Sequence, residues 1–138
     1  MNNLDWFFKE RKLKKIPIDK DKVKKSIEIA EMKLEEAKKL FSSEFFNNAV
    51  LSAYTSMFHS ARALLYSDGI QEKSHYATYF YLKEKFSRKI SKCLLNSFNN
   101  YRETGRELFY GDCNLEKEDA ENSLLEAEDF LEEVKKLI

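Results

Sequence analysis

His59 and His75 are the only histidines in the chain. They are therefore the only side chains whose ordinary pKa suits proton transfer near neutral pH. Arg62 follows His59 by three residues, a spacing that puts both on a similar side of a helix. This admits two readings: a boundary histidine satisfied by a neighbour, or a polar cluster at a dimer seam or nucleotide site. Arg62 stands in an apolar stretch and demands an acidic partner, because an unpaired buried charge is costly. Glu72-Lys73-Ser74-His75 reads Glu-x-x-His, the pair used by di-iron bundles. Such a site needs a second pair and further glutamates, and His59 has Ser56 at the matching position. Neither Cys93 nor Cys113 has a second cysteine at zinc spacing. There is no H-E-x-x-H, phosphate-binding P-loop or G-x-G-x-x-G, and no serine or cysteine has a histidine and an acid at a recognisable family spacing. No metal and no cofactor is expected.

The formal charge of the 138 residues is zero, which gives the whole molecule no electrostatic drive toward nucleic acid. Its distribution is uneven. Residues 1–25 hold nine Lys/Arg against four Asp/Glu, and residues 103–138 hold four against twelve. Two solvated faces of opposite sign explain this; alternatively, the basic end meets an acidic partner or RNA, or the acidic end a basic partner. Two cysteines are too few for a disulfide framework and suit a reduced, cytoplasmic protein. No stretch is apolar enough to span a bilayer, and Asp5, Lys9, Glu10 and Arg11 interrupt any signal-like apolar run at the start.

Scarce Gly and Pro (3 and 1), with Lys, Glu, Leu and Ala dominating long segments, predict an all-α protein. Residues 1–18 read as an N-terminal amphipathic arm and 19–138 as an up-and-down antiparallel bundle of four to five main helices. In the arm, 3–13 predicts a short helix with Leu4, Phe7, Phe8 and Leu13 on one side, an aromatic hook for the bundle or a membrane-surface anchor, set off by Pro17. Residues 19–42 carry Val23, Ile27, Ala30, Leu34, Ala37 and Phe41 at alternating spacings of four and three, a continuous helical seam. Asp19 or Asp21 suits the start of that helix, and Ser42 or Ser43 can cap the next. The segment from 43 to 67 is apolar or small almost all round and predicts a central helix. Gly69 is placed as its left-handed terminator, 70–73 as a short loop, and Ser74 as N-cap of a helix over 74–86. A further helix over 90–107 ends at Gly105 and the run Tyr110-Gly111-Asp112-Cys113-Asn114. The last, 116–137, repeats the seam with Ala120, Leu124, Ala127, Leu131, Val134 and Ile138.

With these residues in view the chain resembles the HEPN (higher eukaryotes and prokaryotes nucleotide-binding) domain. The likeness rests on Tyr54, Met57, Phe58, His59, Ala61, Arg62, Ala63, Leu64 and Leu65, then Gly69 and Lys73-Ser74-His75. It extends to Arg106-x-x-x-Tyr110-Gly111-Asp112 and to Ala120, Ala127, Phe130 and Leu131, roughly residues 20–138. The resemblance implies a helical bundle that dimerises and pairs with a nucleotidyltransferase-fold protein in a two-component system of toxin–antitoxin type. Many members are metal-independent RNases in which an Arg, followed four to six residues later by His, meets its counterpart across a dimer cleft. Here Arg102 and Arg106 stand where that Arg is expected, but no His follows. Tyr110 occupies the place, and tyrosine, with an ordinary pKa near 10, is a weak general base at neutral pH.

The resemblance therefore implies a non-catalytic homodimer that binds nucleotide or RNA in its groove, through His59, Arg62, Lys73 and His75. A second reading is an RNase using Arg106 with Tyr110 or Asp112, or with His75 supplied across the dimer, and with Arg102 as the other arginine in place. In a third, the two seams simply build an oligomerisation module, and Arg106 to Asp112 is a helix-end cluster in which Arg106 pairs with an acid.

Overall fold

The computed structural model describes residues 3–111 and 113–138. Among these, six helices and one short two-stranded ribbon form a bundle. In chain order they are α1 (Asn3–Lys9), β1 (Leu13–Lys15), α2 (Lys20–Ser42), α3 (Phe46–Ser67), β2 (Ile70–Glu72), α4 (His75–Lys85), α5 (Lys92–Phe109) and α6 (Lys117–Lys135). The expected all-α architecture is present.

Helix α3 is the axle. Its most extensive contact is with α2, and it also packs on α6, α5, α4 and β2. Ala49, Ala53, Ala61 and Ala63 are fully buried along it and let neighbouring helices approach closely, beside Val50, Met57, Leu64 and Leu65. Buried Ser52 and Ser56 donate across to the Lys33 and Ala30 carbonyls of α2, at 2.9 and 2.7 Å, so the polar atoms in this dense contact are paired. One strip of α3 stays partly open: Leu51, Thr55, His59, Arg62 and Tyr66.

Both seams fold inward at their centres. Ala30, Leu34 and Ala37 of α2 are buried, as are Ala120, Ala127, Leu131 and Val134 of α6; Ile138, at the last seam position, lies beyond the helix and is exposed. The side chain of Asp19 caps α2 by accepting from the Asp21 and Lys22 amides. Ser74 caps α4 by accepting from the Ala77 amide at 3.0 Å. Gly69 follows α3 with φ +73°, the left-handed conformation that ends a helix.

Four local expectations are corrected. The helix over 3–13 stops at Lys9; Arg11 takes φ +60°, and Leu13–Lys15 leaves in extended form. The 70–73 loop is strand β2, antiparallel to β1 with Leu13 opposite Glu72 and Lys15 opposite Ile70. Neither Ser42 nor Ser43 caps α3, which begins at Phe46 after Phe45, without a side-chain cap. Gly105 lies inside α5, which runs on to Phe109. The first two errors share one cause. Ribbon pairing between segments far apart in sequence supplies backbone partners that no local pattern announces.

Candidate functional site

Three elements bring polar groups to one face. Strand β2 alternates, so Ile70 and Glu72 turn inward while Lys73 is exposed. Ser74 continues the extended backbone at φ −147° and ψ 148°, and its hydroxyl starts α4 with His75 as the first helical residue. Helix α3 offers Leu51, Tyr54 and Thr55; α5 offers Arg102, Gly105 and Arg106, at helical spacings of three and one. These residues and His75 line one cleft of about 330 Å³.

His75 is held on two sides. Its ring stacks on Phe58, with centroids 4.0 Å apart and planes within 10°. Its Nδ1 lies 2.7 Å from the Tyr54 hydroxyl. Burial raises the pKa of Tyr54, so the phenol keeps its proton and can donate to Nδ1 of a neutral imidazole whose own proton is on Nε2. A hydroxyl also accepts, so the same contact supports the other tautomer when Nδ1 carries the hydrogen. Burial of its packed side lowers the His75 pKa, and Arg62 and Arg102 lower it further against an opposing pull from Glu72. The positive end of α4 acts in the same direction. At neutral pH His75 is thus an uncharged imidazole next to two arginines.

Arg102 lies over the Tyr76 ring, 5.2 Å from its centroid, and its Nε donates to Asn99 Oδ1 at 3.1 Å. These contacts steer a largely covered guanidinium toward the cleft, with exposed Glu103 as a marginal ion partner at 3.4 Å. Arg106 has no ion-pair partner among the described residues, so the expected pairing with an acid is not seen there. Tyr110, one turn further along, is 69 % exposed, packs edge-on against the still more open Phe109, and does not line the cleft. Asp112 lies outside the described residues.

The other half of the predicted set forms a separate, structural cluster. The acidic partner that Arg62 demands is Glu72: Oε1 accepts from Arg62 Nε at 2.9 Å and also from its Nη2. The Glu72 carboxylate is 4 % exposed. Arg62 also sits over Phe58, the ring that backs His75, so this pair supports the cleft from behind. His59 is half-buried, edge-on to Phe58. Burial and then Arg62 hold its pKa below the usual histidine range. The Glu-x-x-His reading fails on geometry, because Glu72 faces Arg62 while His75 faces Tyr54. Among the described residues no group of three or more His, Cys, Asp or Glu could hold a metal.

The structure therefore unites Arg102, Arg106 and His75 in one cleft whose lining includes none of His59, Arg62, Lys73 and Tyr110. Sequence reading missed Tyr54 as a site residue, along with Leu51, Thr55 and Gly105. The available signal was the four-residue step from Tyr54 to Phe58, which turns both rings to one side of α3; His75 lies against that side.

The sequence matches the HEPN domain over residues 23–137. The chain belongs to the HEPN domain family. Two curated relatives come from Methanocaldococcus jannaschii. "Putative toxin MJ0605" is 33 % identical over 129 residues, covering 86 % of this chain and 90 % of that protein. "Putative toxin MJ0142" is 32 % identical over 124 residues, covering 86 % and 83 %. The HEPN match takes in the whole cleft but leaves out α1, β1 and the start of α2. No helix among the described residues is long and apolar enough to cross a membrane.

Proposed function

We propose that this HEPN protein is the toxin-side component of a two-component system, a homodimer partnered by a nucleotidyltransferase-fold protein, and that its cleft binds a phosphodiester of RNA. The convergence of His75, Arg102 and Arg106 on one concave surface carries the reading. Guanidinium groups pair with phosphate oxygens through two parallel donors, and a neutral imidazole adds a donor without a second charge to desolvate. The names of the two relatives support the toxin side. Fluorescence anisotropy with a labelled RNA tests the binding. Arg102→Ala and Arg106→Ala each weaken it about tenfold or more, in line with roughly 1.5–3 kcal/mol per charge-assisted hydrogen bond. Binding unchanged in the double variant overturns the proposal. Co-purification with the neighbouring gene's product and light scattering of the free protein test partner and dimer; a lone monomer at micromolar concentration overturns both.

A second reading, cleavage, is favoured by the Tyr54–His75 contact. In RNA transesterification the 2′-hydroxyl attacks phosphorus, its proton leaves to a base, and the 5′-oxygen departs with a proton from an acid. His75 Nε2, with Nδ1 anchored on Tyr54, suits either proton step, and Arg102 with Arg106 offsets the added negative charge on the phosphorane. His75→Ala abolishes cleavage under this reading, and a far-ultraviolet spectrum like that of the wild type separates lost chemistry from a lost fold. If the wild-type protein cuts no RNA, alone or with its partner, the molecule is a binder.

A further inference from the structure

The arm before the HEPN match builds a second basic surface. After α1 the chain turns at Arg11, enters β1, and is stitched to β2 by the paired register and by the Lys73 amide donating to the Lys12 carbonyl at 2.8 Å. This creates a groove of about 530 Å³ lined by Arg11, Lys14, Lys15 and Lys73 over Phe8 and Leu13. No acidic residue lines it. None of its four cations has an ion-pair partner among the described residues. Unlike a solvated helix face with interleaved signs, this groove is concave and lined by four cations beside Phe8 and Leu13, with Asp5 in the neighbouring hollow that shares Phe8 and Lys15. Cations beside an aromatic ring are the parts of a surface that tracks a single-stranded nucleic acid backbone.

Its position relative to the cleft is set by the chain. Lys73 lies two residues before His75, roughly 7 Å of extended backbone at most. The chain bends at Lys73 and Ser74 between β2 and α4, which sets the groove and the cleft on successive elements. Beside His75, Tyr76 is about half exposed and carries Arg102 over its ring; Phe7 of α1 packs against the same ring, 5.8 Å between centroids. Tyr76 thus links the arm to the cleft. We infer that the groove of Arg11, Lys14, Lys15 and Lys73 holds the backbone of single-stranded RNA and leads it into the Arg102–Arg106–His75 cleft. This inference rests on the cleft reading above, and it gives the N-terminal arm a role in length-dependent RNA affinity.

Arg11 adds an independent handle. Its φ of +60° is the conformation glycine adopts at low cost at the end of a helix, so Arg11→Gly relieves backbone strain while removing a groove cation. The full chain is titrated against a fluorescein-labelled twelve-nucleotide single-stranded RNA, and against a labelled dinucleotide, across a salt series. The Lys14→Gln, Lys15→Gln, Lys73→Gln triple variant weakens the twelve-mer at least tenfold. It also lowers the log–log salt slope by about 2, as expected for three lost phosphate contacts. The dinucleotide, which needs only the cleft, binds as to wild type. Arg11→Gly raises Tm yet weakens the twelve-mer. If the triple variant keeps both affinity and slope while Arg102→Ala loses binding, the groove inference is wrong and the cleft reading stands. If Arg102→Ala has no effect, the cleft reading is wrong and the path into it goes too. Capture by anionic phosphatidylserine vesicles with no RNA binding overturns both.

Discussion

The most consequential single contact in this molecule is between Arg62 and Glu72, a partly covered guanidinium and a nearly fully buried carboxylate. Removing one partner leaves the other charge stranded. Arg62→Ala should cost about 3 kcal/mol, read as a shift of the urea midpoint, and Arg62→Met with Glu72→Leu should recover most of the loss. An equal penalty in the single and double variants would mean that packing, not the stranded charge, sets the cost. The histidines make a second prediction. Both fold with pKa values lowered, chiefly by burial, from an ordinary 6.5. The unfolded chain therefore binds protons first as pH falls. Their contribution is fully present above pH 6.5 and is lost progressively below it, toward the folded values. Urea midpoints should fall between pH 7.5 and 5.5, and His59→Gln with His75→Gln should flatten that slope. A slope unchanged in the double variant would assign it to other groups.

At the scale of elements, Gly105 shows how local reading and packing diverge. A glycine near a polar run suggested a helix end, yet α5 continues through it to Phe109. A Cβ at Gly105 would meet Leu51 Cδ2 at 3.6 Å and Tyr54 Cδ2 at 3.9 Å, ordinary contact distances. Gly105→Ala should therefore gain up to about 1 kcal/mol of helix propensity, raising Tm by roughly 3–5 °C; a lower Tm would show that α3 and α5 cannot spare the space. The long helices and the seams of α2 and α6 were legible because period-3.6 burial repeats over many turns. So were the Gly69 stop, the cap at Ser74 and an aspartate at the start of α2, offered as Asp19 or Asp21, which depend on near neighbours alone. The β1–β2 pairing was not legible, and with it went the sense of Glu72 as the partner of Arg62. The site was legible as a list of residue types but not as a grouping. Tyr54 and His75 are brought together by the turn through Gly69 and the ribbon, and nothing in their spacing states that distance.

At the scale of the whole molecule, the ribbon joins residues nearly half the chain apart, Leu13 with Glu72 and Lys15 with Ile70. Gly69 sits at its far end, where the Ile16 amide donates to its carbonyl at 2.8 Å and a Cβ would fall 2.9 Å from the Ile16 oxygen. Contacts of such long sequence separation form late, and few of them hold this edge, whereas α3 is wrapped by its neighbours. Amide hydrogen exchange should therefore resolve two tiers. Amides of Ile16 and Lys73, which donate across the ribbon, should exchange through a sub-global opening well below the free energy of complete unfolding, and those of Met57, Ala61 and Leu64 only through the latter. Gly69→Ala should widen the gap between the tiers; uniform protection would overturn this picture. His75 follows the ribbon by three residues and opens α4, so an opening that frays this first turn releases the imidazole from Tyr54 while α3 stays folded. The temperature at which the molecule ceases to work would then lie below the temperature at which it melts.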